Sequence, residues 1–182
     1  SGDQSRPDSK AVRAAGPLLR QFDAKAQTGA DRSAKPTWSF DRERQVATVL
    51  ADRVVGAAGD LRAGVALGSV KLKTANDRIH LLLISLDDAP VPSSGRLLVQ
   101  AMTEDKPFGF RAESGVIREL GAGPMNVRKI DAMIELTSDR PVRITTLDEN
   151  GYPRGEPLTL QPTDGTVRIQ LPADAIHTLI ER

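Results

Sequence analysis

Residues 126–137 read NVRKIDAMIELT. Ile130, Ala132, Ile134 and Leu136 take one face of an extended chain, and Asp131, Met133, Glu135 and Thr137 take the other. Successive side chains of a pleated strand point to opposite faces, so this period of two predicts a half-buried β-strand. Working outward, Ser138-Asp139 turns the chain, and Val142 and Ile144 continue on a neighbouring strand. Asn150-Gly151 and Asp164-Gly165 are hairpin signals, because these residue types tolerate positive φ. Val167, Ile169 and Leu171 follow the second signal, and Ile176 to Ile180 form a last strand-like run.

The same alternation extends upstream. Residues 66–74 (ALGSVKLKT) alternate loosely through Leu67, Val70 and Leu72, and Asn76-Asp77 marks a turn. Residues 78–86 (RIHLLLISL) have a continuous apolar centre, which predicts a strand covered on both faces. A loop with Pro90, Pro92, Ser93, Ser94 and Gly95 leads to the next strand, 96–103 (RLLVQAMT). About nine strands with frequent turn chemistry and no long helix predict an all-β, antiparallel β-sandwich over residues 37–182. One segment supports two readings: Val46, Val49, Leu50 and Val54 sit at helical spacing, yet lie where an extended segment also fits.

Residues 1–36 differ in character. They hold seven Lys or Arg against four Asp, a net +3, which leaves −2 for the rest of a chain whose total is +1. Val12, Ala15, Leu18, Leu19 and Phe22 are near helical spacing, and Pro17 suits a first helical turn. A short helix over 17–26 and a flexible linker are equally compatible with this N-terminal extension. The chain opens Ser1-Gly2 without methionine and reads as a piece of something longer.

Composition narrows the function. With 25 Lys and Arg against 24 Asp and Glu, no charge excess exists to neutralise phosphates, which argues against nucleic acid as a partner. There is no cysteine, so disulfides, thiol catalysis and Cys-ligated zinc are excluded. The apolar run at Leu81 to Ile84 is far short of the roughly 20 residues that cross a membrane as a helix. The chain lacks the G-x-S-x-G elbow of a serine hydrolase, and His80 and His177 read as packed or surface residues rather than bases. Residues 121–124 (GAGP) lack the Lys and Ser/Thr of a phosphate loop and read as a loop between strands. Residues 148–151 (DENG) resemble the start of a calcium loop, but Pro153, Arg154 and Gly155 break the pattern and a turn fits better. Asp87-Asp88 at a strand end could hold a structural calcium, although such pairs are usually solvated; no other metal or cofactor is expected.

Glycoside hydrolysis needs two opposed carboxylates about 5 to 10 Å apart. Glu104 and Asp105 are adjacent on an extended chain, so they point to opposite faces and cannot form such a pair. Only six aromatic residues occur, which leaves few rings for stacking on sugars. Phe108 and Phe110, two apart, would share a face and offer a small apolar platform beside Glu104 and Asp105.

The motifs of residues 67–151 resemble a β-sandwich domain found near the C-terminal end of large secreted bacterial glycoside hydrolases. The matching residues are Ser85-Leu86-Asp87, Ser93-Ser94, Arg96 to Gln100, Leu120-Gly121, Gly123-Pro124, and Leu147-Asp148 with Asn150-Gly151. The resemblance implies a secreted or periplasmic accessory domain without catalytic residues, whose partner is the catalytic domain of the same parent chain. A carbohydrate-binding module is the alternative, with Trp38, Phe108, Phe110 and Tyr152 as rings and Glu104, Asp105 and Asp87 as polar partners. The family often carries tryptophan near the position of Phe110, and the phenylalanine here weakens a stacking site.

Overall fold

The computed structural model describes residues 22–23, 28–30 and 36–182, with side chains from Trp38 onward. The first strands are β1 (Phe22–Asp23), β2 (Thr28–Ala30), β3 (Pro36–Asp41), β4 (Val46–Leu50), β5 (Val54–Gly59), β6 (Val65–Leu67), β7 (Val70–Thr74), β8 (Ile79–Ser85) and β9 (Arg96–Thr103). Four short strands follow: β10 (Asp105–Phe108), β11 (Arg111–Glu113), β12 (Val116–Glu119) and β13 (Ala122–Val127). The chain closes with β14 (Ala132–Thr137), β15 (Val142–Leu147), β16 (Leu158–Leu160), β17 (Thr166–Gln170) and β18 (His177–Glu181). The fold is all-β, and every pairing is antiparallel.

A ten-stranded sheet runs β1-β2-β3-β4-β5-β8-β9-β18-β15-β16, and a four-stranded sheet runs β17-β14-β7-β6. They share one core. Leu81, Leu83, Val99 and Ile180 face inward from the large sheet and meet Leu72, Ile134, Leu136 and Ile169 of the small one. The alternation of residues 130–137 holds: Ile130, Ala132, Ile134 and Leu136 are all buried.

The finer expectations divide. The strand count is higher than nine because residues 66–74 divide into two strands and because β1 to β5 and β10 to β13 add short strands. Gly68-Ser69 forms a two-residue turn, with Leu67 paired to Val70, and splits 66–74 into β6 and β7. The segment with helical spacing is β4 and β5, since each finds a paired neighbour and local propensity is overridden. Of the helix expected over 17–26, only Phe22 and Asp23 lie among the described residues, and they pair with Gly29 and Thr28 as strand. Residues 122–124 of the expected loop belong to β13.

The loop between β8 and β9 is fixed by polar contacts. Asp87 accepts hydroxyl hydrogen bonds from Ser94 at 2.6 Å and Ser85 at 3.0 Å, and the Gly95 N–H at 2.6 Å. These donors, led by Ser94, hold its carboxyl at a pKa of about 2. Arg182 donates to the Val91 carbonyl at 2.6 Å and to the Thr137 carbonyl at 3.3 Å, so it bridges this loop to the small sheet. Burial pulls its pKa below the ordinary guanidinium value.

Candidate functional site: an apolar sheet face, an arm and a cleft

The outer face of the ten-stranded sheet is built from three cross-strand rows. Trp38, Val49, Gly56, Leu82, Gln100, His177 and Leu147 form the first by direct register. Phe40, Ala47, Ala58, His80 and Met102 form the second. Val54, Ile84, Leu98, Leu179 and Thr145 form the third. None of these residues is Asp, Glu, Lys or Arg. An antiparallel sheet with a solvated face normally alternates apolar and polar side chains. Here Leu82, Ile84, Leu98 and Leu179 are only half-buried, and no strand among the described residues is stacked on them. Among the described residues, the cover expected on both faces of 78–86 is present on the inner face alone. Charge returns at the rim, where Glu181 pairs with Arg96 at 3.5 Å and Arg143 at 3.7 Å.

An arm leaves the sheet after β9. β10 pairs with β13, β11 pairs with β12, and Ser114-Gly115 turns the tip with both residues at positive φ. Every residue from 111 to 129 is exposed, including Val116, Ile117, Leu120, Met125 and Val127. Gly121 sits where the two ribbons join; it has a φ of 72°, and a Cβ there would collide with the Phe108 carbonyl. The root is held by polar groups. Asn76 donates to the Lys129 carbonyl at 3.0 Å and accepts the Asp131 N–H at 2.8 Å. Thr103 donates to the Arg128 carbonyl, and the Arg128 guanidinium pairs with Asp77 and with Glu104 at 3.1 Å.

Between arm and sheet lies a cleft of about 550 Å³. One wall carries Asp105, Met125 and Val127, which share a ribbon face because Asp105 pairs with Val127. The other carries Met102, Leu147 and Ile176, with Asp148, Glu149, Arg154 and Asp174 above them. Met102 and Leu147 also belong to the outer face, so the apolar surface runs on from the sheet into the cleft.

The residues expected to bind sugar are not brought together. Trp38 is on β3 and the arm springs from β9, four strand spacings or about 19 Å across the sheet. Phe108 is 65 % exposed and Tyr152 69 % exposed, on different elements. Phe108 and Phe110 do not lie along one extended segment, since Gly109 at positive φ turns the chain between them. Lys106 sits 5.9 Å from the Phe110 ring centre. Glu104 is committed to Arg128 and to Lys106 at 3.1 Å, whereas Asp105 points into the cleft.

The cleft gathers Asp105, Asp148, Glu149 and Asp174, a grouping that strand alternation could not reveal because they come from three separate segments. Asp148 accepts the N–H groups of Asn150 and Tyr152, both at 2.9 Å, and Asp174 is paired to Arg154 at 2.8 Å. Asp105 and Glu149 are exposed. Asp87-Asp88 has its carboxylates engaged, Asp87 by the loop and Asp88 by Arg53 at 2.7 Å. No three His, Asp or Glu among the described residues come together as a metal site would require. Comparison with protein-family models, curated proteins and solved structures gives no match.

Proposed function

We propose that this chain is a non-catalytic accessory domain of a polysaccharide-degrading enzyme, and that it docks its outer sheet face against the catalytic domain of the same parent chain. The supporting observation is an outer face whose three rows hold no Asp, Glu, Lys or Arg and are apolar except at His80, Gln100, His177 and Thr145. Burying such a face against another protein removes it from water at roughly 25 cal/mol per Å², and exposed apolar patches of this kind mark interaction surfaces. The charged rim of Arg96, Glu181 and Arg143 would stay solvated, as interface rims do.

The test is a paired variant. Leu98 and Leu179 face each other across β9 and β18, so Leu98→Lys with Leu179→Glu places opposite charges in register and preserves the sheet. The wild-type chain is expected to self-associate reversibly as its concentration rises and to bind the catalytic domain supplied in trans. The double variant should stay monomeric, fail to bind, and melt near the wild-type temperature. Equal binding by both proteins would sink the docking reading.

A carbohydrate-binding module is the second reading, favoured by the exposure of the Phe108 and Tyr152 rings. Calorimetry against plant and algal polysaccharides decides it. Micromolar affinity lost in Phe108→Ala and Tyr152→Ala would promote this reading. Hydrolysis by the pure chain, lost on changing one acid, would overturn both.

A further inference from the structure

We propose that the cleft at the root of the arm receives a short segment of the docking partner that presents an aliphatic side chain next to a Lys or Arg. This inference rests on the docking reading and names the partner's chemistry at one place. The walls are aliphatic and thioether, with Met102 and Ile176 facing Met125 and Val127, and among the described residues no aromatic ring lines the cleft. Methionine side chains adapt to irregular apolar groups, which suits a slot that closes on a partner's side chain. A volume of about 550 Å³ exceeds one side chain and fits a short segment.

The charges favour a cation. Arg154 is neutralised by Asp174, and Arg128 by Glu104 and Asp77. Asp148 accepts two backbone N–H groups on Oδ1 alone and adds a third carboxylate to the acidic side of the cleft. Among the described residues, Asp105 on the arm and Glu149 on the facing turn line the cleft without an ion pair, against one such cation, Lys129. A Lys or Arg can lay its methylene stem along the apolar walls and carry its charged head to these two carboxylates. An acidic segment would meet like charge at both of them.

The three methionines supply the readout. Met102 and Met125 line the cleft, while Met133 lies on β14 outside it. The full chain, labelled with ¹³C at the methionine methyls, is titrated with acetyl-Gly-Leu-Arg-Gly-amide and with acetyl-Gly-Leu-Glu-Gly-amide. The arginine peptide should shift Met102 and Met125 and leave Met133 in place, and the glutamate peptide should bind about fivefold more weakly, as expected for exposed charge pairs. Asp105→Asn with Glu149→Gln, two exposed positions, should erase that difference at an unchanged melting temperature. Equal binding of the two peptides, a preference that survives the double variant, or no shift at Met102 and Met125 would each overturn the proposal. The docking reading is scored separately by the Leu98→Lys/Leu179→Glu protein, so it can stand if the cleft proposal falls.

Discussion

The side chain of Asn76 accepts the backbone N–H of Asp131 at 2.8 Å, across fifty-five positions of sequence. Its amide also donates to the Lys129 carbonyl at 3.0 Å, and the residue is buried. One side chain thus ties the β7–β8 turn to the segment that re-enters the core from the arm. Asn76→Ala removes both of these part-buried bonds at the arm root and should cost about 2 kcal/mol. Urea unfolding measures it, and a loss below a few tenths would mean that the arm root is held elsewhere.

Ile134 lies fully buried between the sheets. Ile134→Asp places a carboxylate there without a cation and should remove on the order of 5 kcal/mol, comparable to the stability margin of a whole domain. An unchanged melting temperature would contradict the inward orientation of β14.

Gly151 has a φ of 85° and open space around it, so Gly151→Val adds backbone strain alone, about 1 kcal/mol. Gly121 combines positive φ with a backbone collision. Gly121→Ala should therefore shift amide resonances throughout the arm, with the sandwich core unaltered. Shifts confined to the substituted residue would show that the two ribbons are not joined there.

The Asp87 carboxyl has an ordinary pKa of 3.8 that the Ser94, Ser85 and Gly95 donors lower to about 2 in the folded chain. A depressed pKa contributes stability above the unfolded value, and that contribution is lost as pH falls from about 4 through about 2. Asp87→Asn should flatten the acid limb of the stability profile in this window and leave the slope above pH 5 unchanged. An identical acid limb in both proteins would remove Asp87 from the account.

The fold class was legible in residues 126–137 because strand period and burial coincide at β14, and Gly151 and Gly165 were legible because their turns are local. Residues 41–55 were ambiguous, since Val46, Val49, Leu50 and Val54 fit a helix until β4 pairs with β5. The arm was not legible, because Val116, Ile117 and Leu120 carry the same apolar character as core residues although all three are exposed.

Local sequence determined which segments are extended, where they turn, and that Ile134 and its neighbours face inward, because these follow from the two-residue strand period and from positive φ. Only the tertiary structure decided what covers the other faces. Leu82 and Leu98 carry the same apolar signal as Leu81 and Val99, and a strand's pattern does not say whether a second layer lies against it. Asp105 and Glu149 meet at one cleft because the arm folds back beside the turn after β15, a juxtaposition set by pairing between segments distant in the chain.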